Sequence, residues 1–453
     1  LGVLDEIERA LAKAEGFAEI RASRSWQNRV LVRGKEVDSV VAGGMEGLGV
    51  RVLLKGAWGF AASNDLGDIA SVVERATRLA KAAGRKPIEA ELADTTPAKA
   101  SVHTRVKKHP SSVHIDDKAR RCIELGKRAL ADKAIRTVDV SYGDSWGEWW
   151  FANSDGARID YEPVRSVFAV EAYTKGAELF RSNERDAGLV GYEILDSPEH
   201  LVDDAVSNAK LLLKSELPPK GEMPVVVDPR MAGVLAHEAV GHACEADAVL
   251  NTRSILGDKL GKRIGSEHVS IVDDPTLPRC YGSYPFDAEG TPAQRKVLVD
   301  HGVLRSFLHS RETAAKLGQK PTGNARAESS LAFPLVRMSN TLFEKGDQSL
   351  EELLEPIKRG VFVSGMKGGV TEPANGFFQF AADYGRLIED GELTKPLRDV
   401  TLVGNIMTTL NLVSACGKAV RIGNPGMCGK AGQMVPVSDG GPHIRIDRIL
   451  VGG

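Results

Sequence analysis

Apolar residues open the chain at helical spacing, with Leu4, Ile7 and Leu11 on one face, and Gly16 stands where that helix is expected to stop. Alternating positions follow around Val30 and Val32 and again from Val50 to Leu53, the period-two pattern of half-buried strands. Lys55-Gly56 is a turn signal ahead of residues 58–62 and predicts a hairpin. Asn64 or Asp65 then caps a second helix with the stripe Leu66, Ile69, Val72, Val73, Ala76 and Leu79. This helix–strands–helix unit is expected to end near Lys86-Pro87, and residues 87–112, polar and proline-bearing, read as a connector. A similar order recurs: a helix over 116–131, strand-like pieces at 136–142, 149–152 and 164–173, and a helix over 200–213. Leu217-Pro218-Pro219-Lys220-Gly221 is the clearest linker. Beyond it, short apolar runs punctuated by Gly and Pro predict a large, mostly β domain with a closed or folded-over sheet.

The expected fold is therefore α+β. Two small helix–strand subdomains, residues 1–98 and 99–217, form an N-terminal α/β portion, and residues 218–453 form a β-rich C-terminal domain. The 453-residue length suits two or three such units. A net charge of −2, from 59 basic and 61 acidic residues, argues against a surface built to grip nucleic acid or anionic membrane. No apolar run approaches the length of a membrane span, and the opening residues mix acids into the apolar positions, unlike a signal peptide. Five cysteines, an odd number thinly spread, suit a reducing compartment, so a cytoplasmic location is expected.

One stretch carries chemistry. Asp228-Pro229 is a helix start, an N-cap followed by Pro in the first turn, and the helix it opens reads on to His237-Glu238-Ala-Val-Gly241-His242-Ala-Cys244-Glu245. Two imidazoles with a carboxylate beside the first differ by one residue from the H-E-x-x-H helix of zinc peptidases. In a regular helix, positions i and i+5 stand about 140° apart, so the two rings cannot address one ion. The helix must end, kink or carry a π-bulge between them, and Gly241 is a residue that permits such a distortion. On this reading His237 and His242 bind a divalent metal, with zinc (Zn2+) expected, and Glu238 is the general base for a metal-activated water. A third ligand is required. Glu245, Asp247 and Cys244 are near, Cys416 and Cys428 are distant, and spacing does not choose among them. Cys122 and Cys280 read as buried small residues, and His301, His309 and His443 as ordinary surface or satisfied groups.

These residues bear a family likeness. The chain resembles the TldD/PmbA family of zinc metallopeptidases, in its TldD-like branch, over nearly its whole length. The likeness is carried by His237-Glu-Ala-Val-Gly-His242, Asp287-Ala-Glu-Gly-Thr-Pro292, Pro321-Thr-Gly-Asn-Ala-Arg326, Pro334-Leu-Val-Arg-Met-Ser-Asn340, the stretch from Gly368-Gly369 to Gly391, and Gly426-Met-Cys-Gly-Lys430. It implies zinc held by His237, His242 and Cys428, with Glu238 as catalytic acid/base. It also implies a homodimer, or a heterodimer with a TldE-like subunit, acting on small or unfolded peptides. One departure is Ala431, where family members often carry an acidic residue.

The resulting expectation is a hydrolase of the HExxxH type that cleaves peptide bonds. Substrate would pair as an added strand, with Phe377-Phe378-Gln379-Phe380 a candidate edge, and Arg326 or Arg337 could anchor a peptide carboxylate. A second enzyme reading makes Cys416 or Cys428 a nucleophile with a His base, sensitive to alkylation and indifferent to chelators. A third is a metal-containing scaffold, or a subunit active only with a TldE-like partner. Glu238 favours catalysis, because a structural site needs no general base beside its ligand.

Overall fold

A computed structural model describes residues 2–84, 89–175 and 179–453, so the expected unit end at Lys86-Pro87 lies outside the described residues. The first helix, Val3–Leu11, stops before Gly16. That glycine instead turns the chain into the first strand: its φ is 77°, and a Cβ there would sit 2.5 Å from the Leu53 carbonyl oxygen. The two alternating stretches are the ends of one long hairpin, Phe17–Arg33 paired with Glu36–Leu54. The full length of the second strand does not show in the sequence because residues 36–45 are exposed, which erases the period-two signal there. Lys55 and Gly56, at φ 50° and 74°, form the two-residue turn into Ala57–Ser63. Asp65 caps a short turn, Leu66–Asp68, that runs into the helix Ile69–Ala83.

The second unit has its helices at Ile115–Ala129 and Glu199–Leu212. Two of its predicted strand pieces are one strand, Ile135–Asn153, which pairs antiparallel with Phe17–Arg33. Both units therefore share a single eight-stranded sheet. Each keeps its own core: Ile7, Val50, Val72 and Ala76 gather under the first helix pair, and Leu125, Val138, Phe168 and Ala205 under the second.

In the C-terminal part, Gly221–Val227 lies inside a nine-stranded sheet between Ile444–Gly452 and Arg359–Ser364. A six-stranded sheet contains Asn340–Phe343, Gln433–Gly441 and Arg421–Lys430. The helix Pro229–Val234 follows Gly221–Val227 directly and packs against strands of both sheets, its Met231 and Ala232 sharing a core with Val227, Phe343 and Val363. The mixture of helix and sheet is the expected α+β class. Phe377–Ala381 is not an edge strand: it is flanked by Gly368–Glu372 and Thr401–Asn405, with Phe378 and Phe380 buried. The exposed edge on that side of the sheet is Gly368–Glu372, and Glu392–Leu397 ends the other side. Among the described residues, no helix is long and apolar enough to cross a membrane.

Candidate metal centre

The helix that carries the two histidines begins as its sequence dictates. Asp228 Oδ1 accepts from the Met231 amide at 2.8 Å, and Pro229 occupies the first turn. After one α-helical stretch, Pro229–Val234, the backbone widens into a π-helical segment, Leu235–Gly241, and then tightens to a 3-10 turn at His242–Cys244. The His242 amide donates to the His237 carbonyl, an i→i+5 bond that stacks residues five apart on one face. The two imidazole rings consequently meet edge to face, with centroids 5.2 Å apart. Gly241 does not act through backbone freedom. It has ordinary right-handed helical angles, and it is small because a Cβ would overlap the Met338 sulfur.

Cys428 arrives from the strand Arg421–Lys430, whose hairpin to Gln433–Gly441 turns at Ala431 (φ 49°) and Gly432 (φ 78°). Its Sγ lies 3.3 Å from His237 Nε2 and 3.5 Å from His242 Nε2. The three donor atoms all fall within 4.8 Å of one another. Their other contacts orient them. Asp439 Oδ1 takes the Nδ1 side of His237 at 2.8 Å, and Glu245 Oε2 takes that of His242 at 3.2 Å, leaving both Nε2 atoms turned to the sulfur. Lys430 Nζ in turn holds Glu245 at 3.0 Å, Asp247 at 2.8 Å and the Val336 carbonyl at 3.0 Å.

The electrostatics follow from this packing. Burial raises the pKa of the Cys428 thiol, but hydrogen bonds from His237 and His242 and their positive charge outweigh it and bring the group down to about 5. Burial lowers both imidazoles, and the opposing carboxylates win: Asp439 holds His237 well above its ordinary value, and Glu245 takes His242 up to about 10. A thiolate and two imidazole nitrogens backed by carboxylates form a donor set that fits a divalent cation of zinc's preferences, which would replace the imidazolium protons.

Several expectations change here. Glu245 and Asp247 are not part of the converging group, because they face His242 Nδ1 and Lys430 instead. Cys244 is fully buried and its thiol is pushed up by desolvation. Cys416 donates to the His268 carbonyl at 3.3 Å, and burial pushes it up to about 12, far from a nucleophile's range. Arg326 and Arg337 are buried braces, not carboxylate anchors. Arg337 donates to the Cys428 carbonyl and to that of Gln433 at 3.3 Å, and Arg326 to the carbonyls of Met338 at 2.5 Å and Pro436 at 2.7 Å. Together they fix the backbone that presents the cysteine. Glu238 lies at the rim, partly exposed, with Oε2 3.9 Å from His242 Nε2. Its carbonyl accepts from Thr371 Oγ1 at 3.3 Å, so the edge strand Gly368–Glu372 runs beside it. Asp439, Lys430 and Thr371 were not foreseen, since no local spacing ties them to a helix so distant in the chain.

Comparison with known proteins finds relatives over nearly the whole chain. Models of the PmbA/TldA metallopeptidase family match in three pieces: domain 1 over residues 18–80, the central domain over 108–213 and the C-terminal domain over 220–453. A metalloprotease of Methanocaldococcus jannaschii is 38% identical over 446 residues, covering 98% of both chains. A zinc metalloprotease TldD homolog of Saccharolobus solfataricus is 42% identical over 242 residues, 53% of this chain and 54% of its own. Among solved structures, TldE from Thermococcus kodakarensis has a TM-score of 0.80 at 21% identity, over the full length of both chains, a likeness of fold.

Proposed function

The chain belongs to the PmbA/TldA (TldD/PmbA) metallopeptidase family, and from that premise we propose that it is a zinc-dependent peptidase of the HExxxH type. His237, His242 and Cys428 hold the ion, and Glu238 is the general acid/base. The observation that carries this reading is the convergence of two Nε2 atoms and one thiolate beside the rim carboxylate. Zinc, when bound, supplies Lewis-acid polarisation of the scissile carbonyl and of the attacking water. Glu238 takes the proton of that water and returns it to the leaving amine. Asp439 and Glu245 keep the Nδ1 protons and hold both rings in register, and Lys430 fixes Glu245.

Substrates are small or unfolded peptides, because an extended backbone is what the edge strand Gly368–Glu372 can pair with, and that strand passes Glu238. The protein works as a homodimer or with a TldE-like subunit, a reading supported by the likeness of fold to TldE. It resides in the cytoplasm, in keeping with five free thiols. The division at 1–98, 99–217 and 218–453 is supported by the separate hydrophobic cores.

The test is mass-spectrometric cleavage of an unstructured peptide library by the zinc-loaded chain, with Glu238→Gln as control. Cleavage by the unsubstituted chain, lost in Glu238→Gln at unchanged zinc content, is the expected outcome. Equal cleavage by both removes Glu238 from the mechanism. No cleavage until a TldE-like subunit is added makes the chain one half of an obligate pair.

A further inference from the structure

Away from the metal centre, a cavity of about 420 Å³ opens at the seam between the N-terminal sheet and the C-terminal part. That volume lies in the range of small-ligand sites. One wall is the outer strand of the sheet, Lys99–His103, with its neighbour Arg158–Glu162. The opposite wall is the loop 275–285. This loop is held from both sides: Arg165 donates to the carbonyls of Tyr281 at 3.2 Å and Ser283 at 3.0 Å, and Tyr284 Oη donates to that of Gly323 at 2.8 Å. The walls are thus formed in advance of any ligand.

The lining has a specific chemistry. Leu189, Leu277 and Pro285 make it apolar. Arg105 and Arg279, both exposed, stand at its margin, and neither guanidinium makes a hydrogen bond or ion pair among the described residues, although Asp186 is near enough to Arg279 to feel its charge. Tyr161 is 8% exposed, and its hydroxyl is buried with no partner, as is that of Thr104. Neither oxygen presents surface to the cavity, so recognition of a ligand falls to the groups that do. Two guanidiniums without a bonded counter-ion match a carboxylate, and the apolar walls match a hydrophobic body attached to it.

We propose that this cavity binds a small apolar carboxylate, the C-terminal end of a short peptide, with Arg105 and Arg279 on the carboxylate and Leu189, Leu277 and Pro285 against the apolar body. Peptide hydrolysis releases such an end at every turnover, since each cut leaves one new carboxylate and one new amine. The proposal draws on the family's peptide chemistry and not on the assignment of Glu238 or of the metal ligands.

The test uses full-length Glu238→Gln, so that no probe is consumed, titrated calorimetrically with N-acetyl-alanyl-leucine, its C-terminal amide, hexanoate and inorganic phosphate. The acid is expected to bind one per chain, at least tenfold tighter than the amide and than hexanoate or phosphate. Arg105→Met/Arg279→Met, both at exposed positions, is expected to lose at least tenfold in affinity, while removal of metal with a chelator leaves binding unchanged. Equal binding of acid and amide, or an unaffected double variant, overturns the carboxylate site. Hexanoate binding as tightly as the peptide overturns the peptide end as occupant, and phosphate doing so overturns the apolar part. Loss of binding on chelation moves the peptide to the metal centre and sinks the cavity proposal. Cleavage by the unsubstituted chain is a separate readout, so neither result can stand in for the other.

Discussion

At Gly241 the missing Cβ does a different job from the one its sequence suggests. A glycine before His242 reads as backbone licence, yet its angles are ordinary, and the constraint is the Met338 sulfur pressed against it. That neighbour comes from far along the chain, so no local pattern announces it. Gly241→Ala is expected to destabilise the fold by about 1–3 kcal/mol through overpacking. Adding Met338→Ala should return part of the loss, a coupling read from a double-mutant cycle in denaturant unfolding. Independent, additive losses would mean that the crowding is not what excludes a side chain. His309 makes a pH prediction of similar locality. It is 3% exposed, and burial lowers its pKa from 6.5 to about 4. Between those values the unfolded chain binds a proton that the folded chain refuses, so stability falls as the pH falls through this window and levels off below about 4. The group's share is roughly 3 kcal/mol. Stability curves of the unsubstituted chain and His309→Gln from pH 7 to 4 should diverge by about that amount; parallel curves would remove His309 from the acid response.

Elements were legible where their chemistry is local. The five-residue spacing of His237 and His242 demanded a break in α-helical phase, and the π-helical segment Leu235–Gly241 supplies it. The Lys55-Gly56 turn and the Asp65 and Asp228 caps stand where their residue types put them. Sheet order was not legible, because an edge is a property of which strands fail to find a neighbour. Phe377–Ala381 looked like a candidate edge between glycines, but Gly368–Glu372 covers it and is itself the free strand. If substrate adds to that strand, only every second peptide amide of the substrate points at the edge. Two series of a cleaved peptide, N-methylated at successive amides, should therefore differ. One phase is expected to raise KM about tenfold, the cost of one hydrogen bond of roughly 1–1.5 kcal/mol, and the other to leave it near its starting value. If both phases behave alike, Gly368–Glu372 is not the strand that holds the peptide.

Across the whole molecule, the motifs that carry the family likeness divide into two kinds. His237-Glu238 to His242 and the Cys428 strand meet at the metal centre. The stretch beginning at Asp287 instead joins the C-terminal part to the N-terminal sheet. Asp287 accepts from the amides of Glu289, Thr291 and Ala325, and Gly290, at φ 75°, lets the turn lie against Phe151 where a Cβ would collide. Spacing alone could not tell a docking turn from a catalytic loop, since both need rigid, polar, glycine-bearing backbone. At the centre of this interface Arg51 is buried between Glu19 at 2.7 Å and Glu289 at 2.9 Å, with Trp58 and Phe333 against the faces of its guanidinium. Arg51 thus ties together carboxylates from both parts of the chain, and the buried guanidinium of Arg21 adds its charge to both. Arg51→Met keeps the stem's volume but leaves Glu19 and Glu289 buried together without their partner, and should cost about 3–5 kcal/mol. Arg51→Met/Glu289→Gln leaves Glu19 with the buried Arg21 as its counter-charge and should recover much of that loss, whereas Arg51→Met alone should separate into two thermal transitions as the N-terminal sheet releases before the C-terminal part. A single transition shifted equally in both variants would mean that Arg51 contributes packing and not the electrostatic tie between the two parts.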